Sequence, residues 1–226
     1  MSEGKQSTHR ELGLEAELPV QEVMLAADSR FLNYGEAVIR AAASGIDDAT
    51  RVSGRQARFH TDALEASATT DEMLAAFRLP NDQINADRLY GRLEQAGVGY
   101  EMPFVLYTSE DLRTATTNFV FGFSVSESGI SVQSIARFAR DISNPSTLTG
   151  VIRHISRHEF GHMLGLDDST IKRQDNGGVV RKGHCANTCT MQQVTTTSQA
   201  IRLTRQLLDR PNAGFCADCV DVLSHR

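Results

Sequence analysis

The sequence predicts an α/β (α+β) fold, and three observations carry that expectation. Short apolar or alternating runs suited to strands are grouped between residues 104 and 135. Amphipathic stretches with helix-start signals lie before and after them. One long helix with legible ends holds the densest group of chemistry-bearing side chains. Strands and helices alternate loosely, without repeats or low-complexity tracts, as in α/β and α+β domains.

Residues 1–18 are polar and acidic and are expected to form a loose terminus, leaving 19–226 as a single domain. A helix is expected over Glu36–Ala43, before the polar stretch Ser44–Arg55. Another is expected over Asp71–Phe77, with Asp71 near its N-cap, and further helical turns over Asn85–Gln95. The apolar run Phe104-Val105-Leu106-Tyr107 suits a buried strand. Asn118–Phe123 and Ile130–Ile135 have strand composition and alternation, with a turn signal at Ser126–Gly129 between them.

The long helix is expected over about 145–164. Asn144 is its N-cap and Pro145 its first residue, where a missing N–H costs nothing. Leu148, Val151, Ile152 and Ile155 recur at helical spacing, on a face that continues into His158, Glu159 and His162. That face meets the body of the protein, so the polar residues should floor a cleft. Gly165 ends the helix where positive φ is required. The polar stretch Asp167–Gly183, with Gly177-Gly178, reads as an exposed loop. A last helix is expected over Gln199–Asp209, stopped by Pro211. The chain thus divides into residues 19–165 and a C-terminal part, 166–226.

At 226 residues the chain can bury one sizeable core. Its 40% hydrophobic and 23% charged content is ordinary for a globular protein. A net charge of −5 argues against nucleic-acid binding, which wants a basic patch. No run approaches the roughly 18 apolar residues of a membrane span. The first residues lack the apolar core of a secretory signal, so a cytoplasmic setting is expected.

His158-Glu159-Phe160-Gly161-His162-Met163-Leu164-Gly165 reads HExxHxxG. Residues i and i+4 of a helix lie one above the other, so both imidazoles can bind one Zn²⁺. Glu159 can take a proton from a metal-bound water as general base. The pattern points to a zinc-dependent hydrolase. His154 lies one turn earlier on the same face, where packing or support of a ligand is the expected role. His9, His60 and His225 lack ligand spacing and read as surface residues. Arg153 and Arg157 read as a solvated or ion-paired helix face.

All four cysteines lie in the tail: Cys185 and Cys189, then 26 residues, then Cys216 and Cys219. Two short-spaced pairs joined by a longer stretch are how thiolates surround a structural Zn²⁺; two disulfides are the weaker reading without an export signal. The two ligand sets share no residue, which gives two zinc ions per chain.

Beyond these motifs the chain resembles the archaemetzincins, small metzincin-like zinc peptidases. The similarity runs from about Val105 to the C-terminus. It is carried by Val105-Leu106-Tyr107-Thr108-Ser109-Glu110-Asp111-Leu112, by Asn118-Phe119-Val120-Phe121-Gly122 and by Val132–Phe138, which resembles the family's edge strand. The tail keeps the order histidine (His184), cysteine pair, Met191 and CxxC. The resemblance implies a metzincin-like zincin domain: a mixed twisted sheet, an active-site helix and a zinc-bound C-terminal subdomain. It implies a peptide or protein substrate, which could pair with an edge near Ile130–Ile135. It makes Met191 the Met-turn residue, an apolar base beneath the catalytic zinc.

The spacing departs from the family's in three places. The first cysteine pair encloses three residues rather than four, and the 24 residues from Met191 to Cys216 are more than usual. The third departure bears on the catalytic site. Eighteen residues separate Gly165 from His184, where the family has almost none. Two third ligands are therefore open. Asp168 stands ten positions after His158, where metzincins place theirs; His184 precedes Cys185, as the family's third histidine precedes its first structural cysteine. His184 is preferred, because imidazole is the usual third ligand and lengthening a loop costs little closure entropy.

A second function class stays open beside the peptidase: a non-hydrolytic zinc protein whose cysteine tail is a protein-interaction module. From Leu166 to Arg226 there are eight Lys and Arg against six Asp, which disfavours nucleic acid but not a protein partner. Glu159 discriminates, since a structural site has no use for a general base.

Overall fold

A computed structural model describes residues 18–65, 67–167 and 183–225. The expected loose terminus and nearly all of the loop, including Gly177-Gly178, lie outside the described residues. In chain order the elements are β1 (Val20–Ala27), α1 (Ser29–Leu32), α2 (Glu36–Val52), β2 (Gln56–His60), α3 (Asp62–Glu65), α4 (Ser67–Ala75), β3 (Gln83–Asn85), α5 (Ala86–Gln95), β4 (Phe104–Thr108), β5 (Asp111–Arg113), β6 (Gly122–Val125), β7 (Ile130–Ser134), α6 (Ala136–Asp141), α7 (Pro145–Met163), α8 (Thr197–Leu207), a 3₁₀ turn (Asn212–Gly214) and α9 (Ala217–Ser224).

The main sheet is mixed, in the order β2-β1-β4-β7-β6, with only β6 antiparallel. Successive side chains of a strand face opposite ways, and here both faces are covered. Val105 and Tyr107 join the core formed with α2 and α7. Phe104 and Leu106 join a second core formed with Leu74 of α4 and Leu89 of α5. A strand covered on both faces reads as continuously apolar rather than alternating, which is why β4 stood out in the sequence.

β7 corrects one expectation. It lies between β4 and β6 with all five residues buried, so Ile130–Ile135 is no edge; β6 is. The strand expected over Asn118–Phe123 begins only at Gly122, and residues 118–121 run outside it apart from a single bridge at Val120.

The helix expected to stop at Ala43 continues through the polar stretch to Val52. Ser44-Gly45 reads as a breaker, but Gly45 is where α2 crosses α7. A Cβ there would stand 2.3 Å from the Arg153 carbonyl oxygen. Arg153 binds Asp48 of α2 through two contacts, at 2.7 and 2.8 Å, and Arg157 reaches the same carboxylate at 3.4 Å. That face of α7 is ion-paired. Among the described residues no helix is long and apolar enough to cross a membrane.

Candidate active site

Both ends of α7 are built as its sequence predicts. The Asn144 side chain accepts from Thr147 N at 2.9 Å, and Pro145 opens the first turn. At the other end Gly165 takes φ +90°, and Leu166 N closes back on Gly161 O at 3.0 Å. This turn points the Leu166 carbonyl back at the helix, where His162 Nδ1 lies 2.8 Å from it. His158 Nδ1 lies 2.7 Å from Thr190 O. A neutral imidazole carries one ring proton, and a carbonyl only accepts, so both rings donate from Nδ1 and leave Nε2 free to ligate.

The two Nε2 atoms are 3.2 Å apart. His184 completes the group: its ring centroid is 5.2 Å from each of the others. The three possible ligand atoms lie within 4.8 Å of one another. Burial, and then the neighbouring rings, push His158 down to about 3 and His162 down to about 4. Both stay neutral, the ligating form, across physiological pH. Asp168, the other third-ligand candidate, lies outside the described residues.

His158 and Glu159 are only 5% and 7% exposed, yet both line a cavity of about 670 Å³. They floor a cleft, as their helical face predicts. Ile155, Phe119, Phe121 and Val194 supply apolar wall, and among the described residues Glu159 is the only charged one lining it. Arg137 braces the wall, stacked 3.6 Å from the Phe119 ring centroid and held by Asp111. Glu159 reaches the edge strand: its Oε2 accepts from Ser124 Oγ at 2.7 Å. A Cβ on Gly122 would stand 2.3 Å from the Glu159 side chain, so a larger residue there would displace the carboxylate from this position.

Met191 is fully buried beneath this helix. A Cβ on Gly161 would meet its sulfur at 2.7 Å, so glycine at the fourth position of the motif makes room for Met191. Met191 O also accepts from Cys185 N at 2.9 Å, which ties the methionine to the tail.

The four cysteines are free thiols gathered in one group. Cys185–Cys216, Cys216–Cys219 and Cys189–Cys219 are separated by 3.7, 3.6 and 4.0 Å. Thiolates bound at about 2.3 Å to one tetrahedral ion stand roughly 3.8 Å apart, so the spacing fits a zinc ion and not a pair of disulfides. Asn187 donates to Cys185 Sγ and to Cys216 Sγ, as ionised sulfurs would require.

His154 is 1% exposed and packed, with no hydrogen-bond partner on either nitrogen among the described residues. His60 is half-exposed and pairs with Glu22, while His225 is at the surface. Sequence reasoning missed Gly122 and Ser124. The signal was present, since period-two alternation puts both on the sheet face that α7 covers.

No protein-family model and no curated protein matches the chain by sequence. Solved structures do match it. An archaemetzincin from Methanopyrus kandleri superposes with a TM-score of 0.61 at 19% identity, covering 91% of this chain and 94% of that one. A zinc-dependent peptidase from Methanocorpusculum labreanum gives 0.52 at 19% identity, covering 89% and 99%. An archaemetzincin from Archaeoglobus fulgidus gives 0.52 at 16% identity, again covering 89% and 99%. The fold is shared with the archaemetzincins. The resemblance read in the sequence thus recurs in three dimensions, and over more of the chain than the motifs covered. The Methanopyrus kandleri match covers 91% of the chain, whereas the motifs that carry the sequence resemblance begin at about Val105.

Proposed function

We propose that this chain is a zinc metallopeptidase of archaemetzincin type, cleaving peptide bonds with Glu159 as general base. The observation that carries the reading is a three-histidine group of which His158 and His184 line one open cavity together with the Glu159 carboxylate. A purely structural metal site, as in the interaction-module alternative, needs neither the cavity nor the acid.

His158, His162 and His184 hold one Zn²⁺, and Cys185, Cys189, Cys216 and Cys219 hold a second, structural one. When bound, the catalytic zinc supplies Lewis acidity and brings the pKa of a water down toward 7. Glu159 accepts the proton of the attacking water and returns it to the leaving amine. Met191 acts by packing, holding α7 at a fixed height above the tail. The edge of β6 offers unpaired backbone groups to an extended peptide. The unbridged cysteines suit a reducing, cytoplasmic setting.

The test is turnover of a peptide library by the zinc-loaded protein and by Glu159→Gln. Glutamine keeps the shape but cannot take the proton, and losing a general base typically costs about 10²–10⁴-fold. Turnover should fall by that order with zinc content unchanged. No turnover by the zinc-loaded protein, or equal turnover by the variant, overturns the reading.

A further inference from the structure

Three side chains on the sheet form a line that ends on Glu159. Ser124 Oγ on β6 lies 2.7 Å from Glu159 Oε2 and 2.8 Å from Ser131 Oγ on β7. Gln133 Nε2 donates to the same Ser131 oxygen at 3.1 Å. The strand register produces the alignment, because Ser124 pairs with Ser131 and Gly122 with Gln133.

The line has a fixed polarity. Its amide nitrogen can only donate and its carboxylate can only accept, while each hydroxyl has one proton to give. Ser124 must give its proton to the carboxylate, so the proton between the two serines comes from Ser131, whose oxygen accepts from Gln133. Ser131 and Gln133 are 0% and 2% exposed, so solvent does not compete for these bonds. Gln133 Oε1 is buried with no partner among the described residues, as expected of an amide turned to present its nitrogen.

We infer that Ser124 is a positioning residue that holds the Glu159 carboxylate in its working orientation. It ties down one carboxylate oxygen and leaves the other for proton transfer. Ser131 and Gln133 keep the Ser124 hydroxyl turned toward Glu159. Gly122, by lacking a side chain, lets the strand come close enough for the bond to form. This role rests on the peptidase reading.

The experiment compares kcat and KM on one peptide for the zinc-loaded wild type, Ser124→Ala and Ser124→Thr, with Glu159→Gln as reference. A hydrogen bond to an ionised group is a matter of roughly 10- to 100-fold in rate. Ser124→Ala should lose kcat by that order with KM and zinc content unchanged, and Ser124→Thr, which keeps a hydroxyl on a strand, should stay within a few-fold of wild type. Wild-type kcat in Ser124→Ala overturns the role, as does an equal loss in Ser124→Thr, which would trace the effect to packing. An inactive wild type overturns the peptidase reading itself, and the role with it.

Discussion

His184 and Cys185 are neighbours in the chain, yet their side chains enter different ligand groups, one the histidine triangle and the other the four-sulfur cluster. Anchoring either residue fixes its neighbour to within one peptide unit. This coupling supports the proposal that His184, rather than Asp168, is the third ligand.

His184→Ala should therefore empty or badly weaken the catalytic zinc site, while Asp168→Ala keeps most of its occupancy. Zinc affinity measured in both variants decides between them. Loss in Asp168→Ala with retention in His184→Ala would make the site a two-histidine, one-aspartate centre.

The cysteine group predicts two zinc ions in the wild type and one in Cys219→Ser. Structural zinc contributes directly to folding, about 10 kcal/mol or more in small zinc modules, so the variant should also melt at a clearly lower temperature. Elemental analysis showing a single zinc, with the tail cysteines joined as disulfides, would remove the second site.

His154 should be replaceable at a gain. Its buried nitrogens have no partner among the described residues, and leaving a buried polar group unsatisfied costs about 1–3 kcal/mol. His154→Leu should raise the denaturation midpoint, corresponding to a gain in unfolding free energy on the order of 1 kcal/mol, with zinc binding intact. A lower midpoint with loss of zinc would instead give this ring a supporting role toward His158.

Without metal, the protein should be acid-sensitive. His158 and His162 have folded-state values of about 3 and about 4, below the value near 6.5 of an unperturbed histidine. The unfolded chain therefore binds more protons as pH falls. Their contribution to stability is complete above about 6.5 and is lost as pH drops toward those folded values. Melting temperatures of the chelated protein should decline from pH 7 toward 4.5, and His162→Gln should flatten the decline. A level profile would contradict the burial of these rings.

The parts legible in the sequence were those whose signals are local. The Asn144 cap, Pro145, the apolar stripe and Gly165 bounded α7 almost to the residue, because each acts within one turn of itself. β1 was not legible. Its Met24, Leu25, Ala26 and Ala27 carry no strand preference, and it becomes a strand only through parallel pairing with β2 and β4. Which strand forms the edge was hidden for the same reason, since strand order is set by pairing across the sheet and not by composition. In the site, His158, Glu159 and His162 were found by spacing. Thr190 and Leu166 escaped notice because they act through carbonyl oxygens, which every residue type possesses.

Leu166 O and Gly183 both lie against the His162 ring, the first at 2.8 Å and the second with its glycine Cβ position 3.6 Å from Cε1. The chain leaves and re-enters at one imidazole, so the number of residues between these points is free to change without moving the ligands. A motif written as a fixed count from glycine to third histidine passes over such a chain. One written as two anchored endpoints, with the interval left open, would recover it and any relative in which evolution has used the same gap to install new sequence.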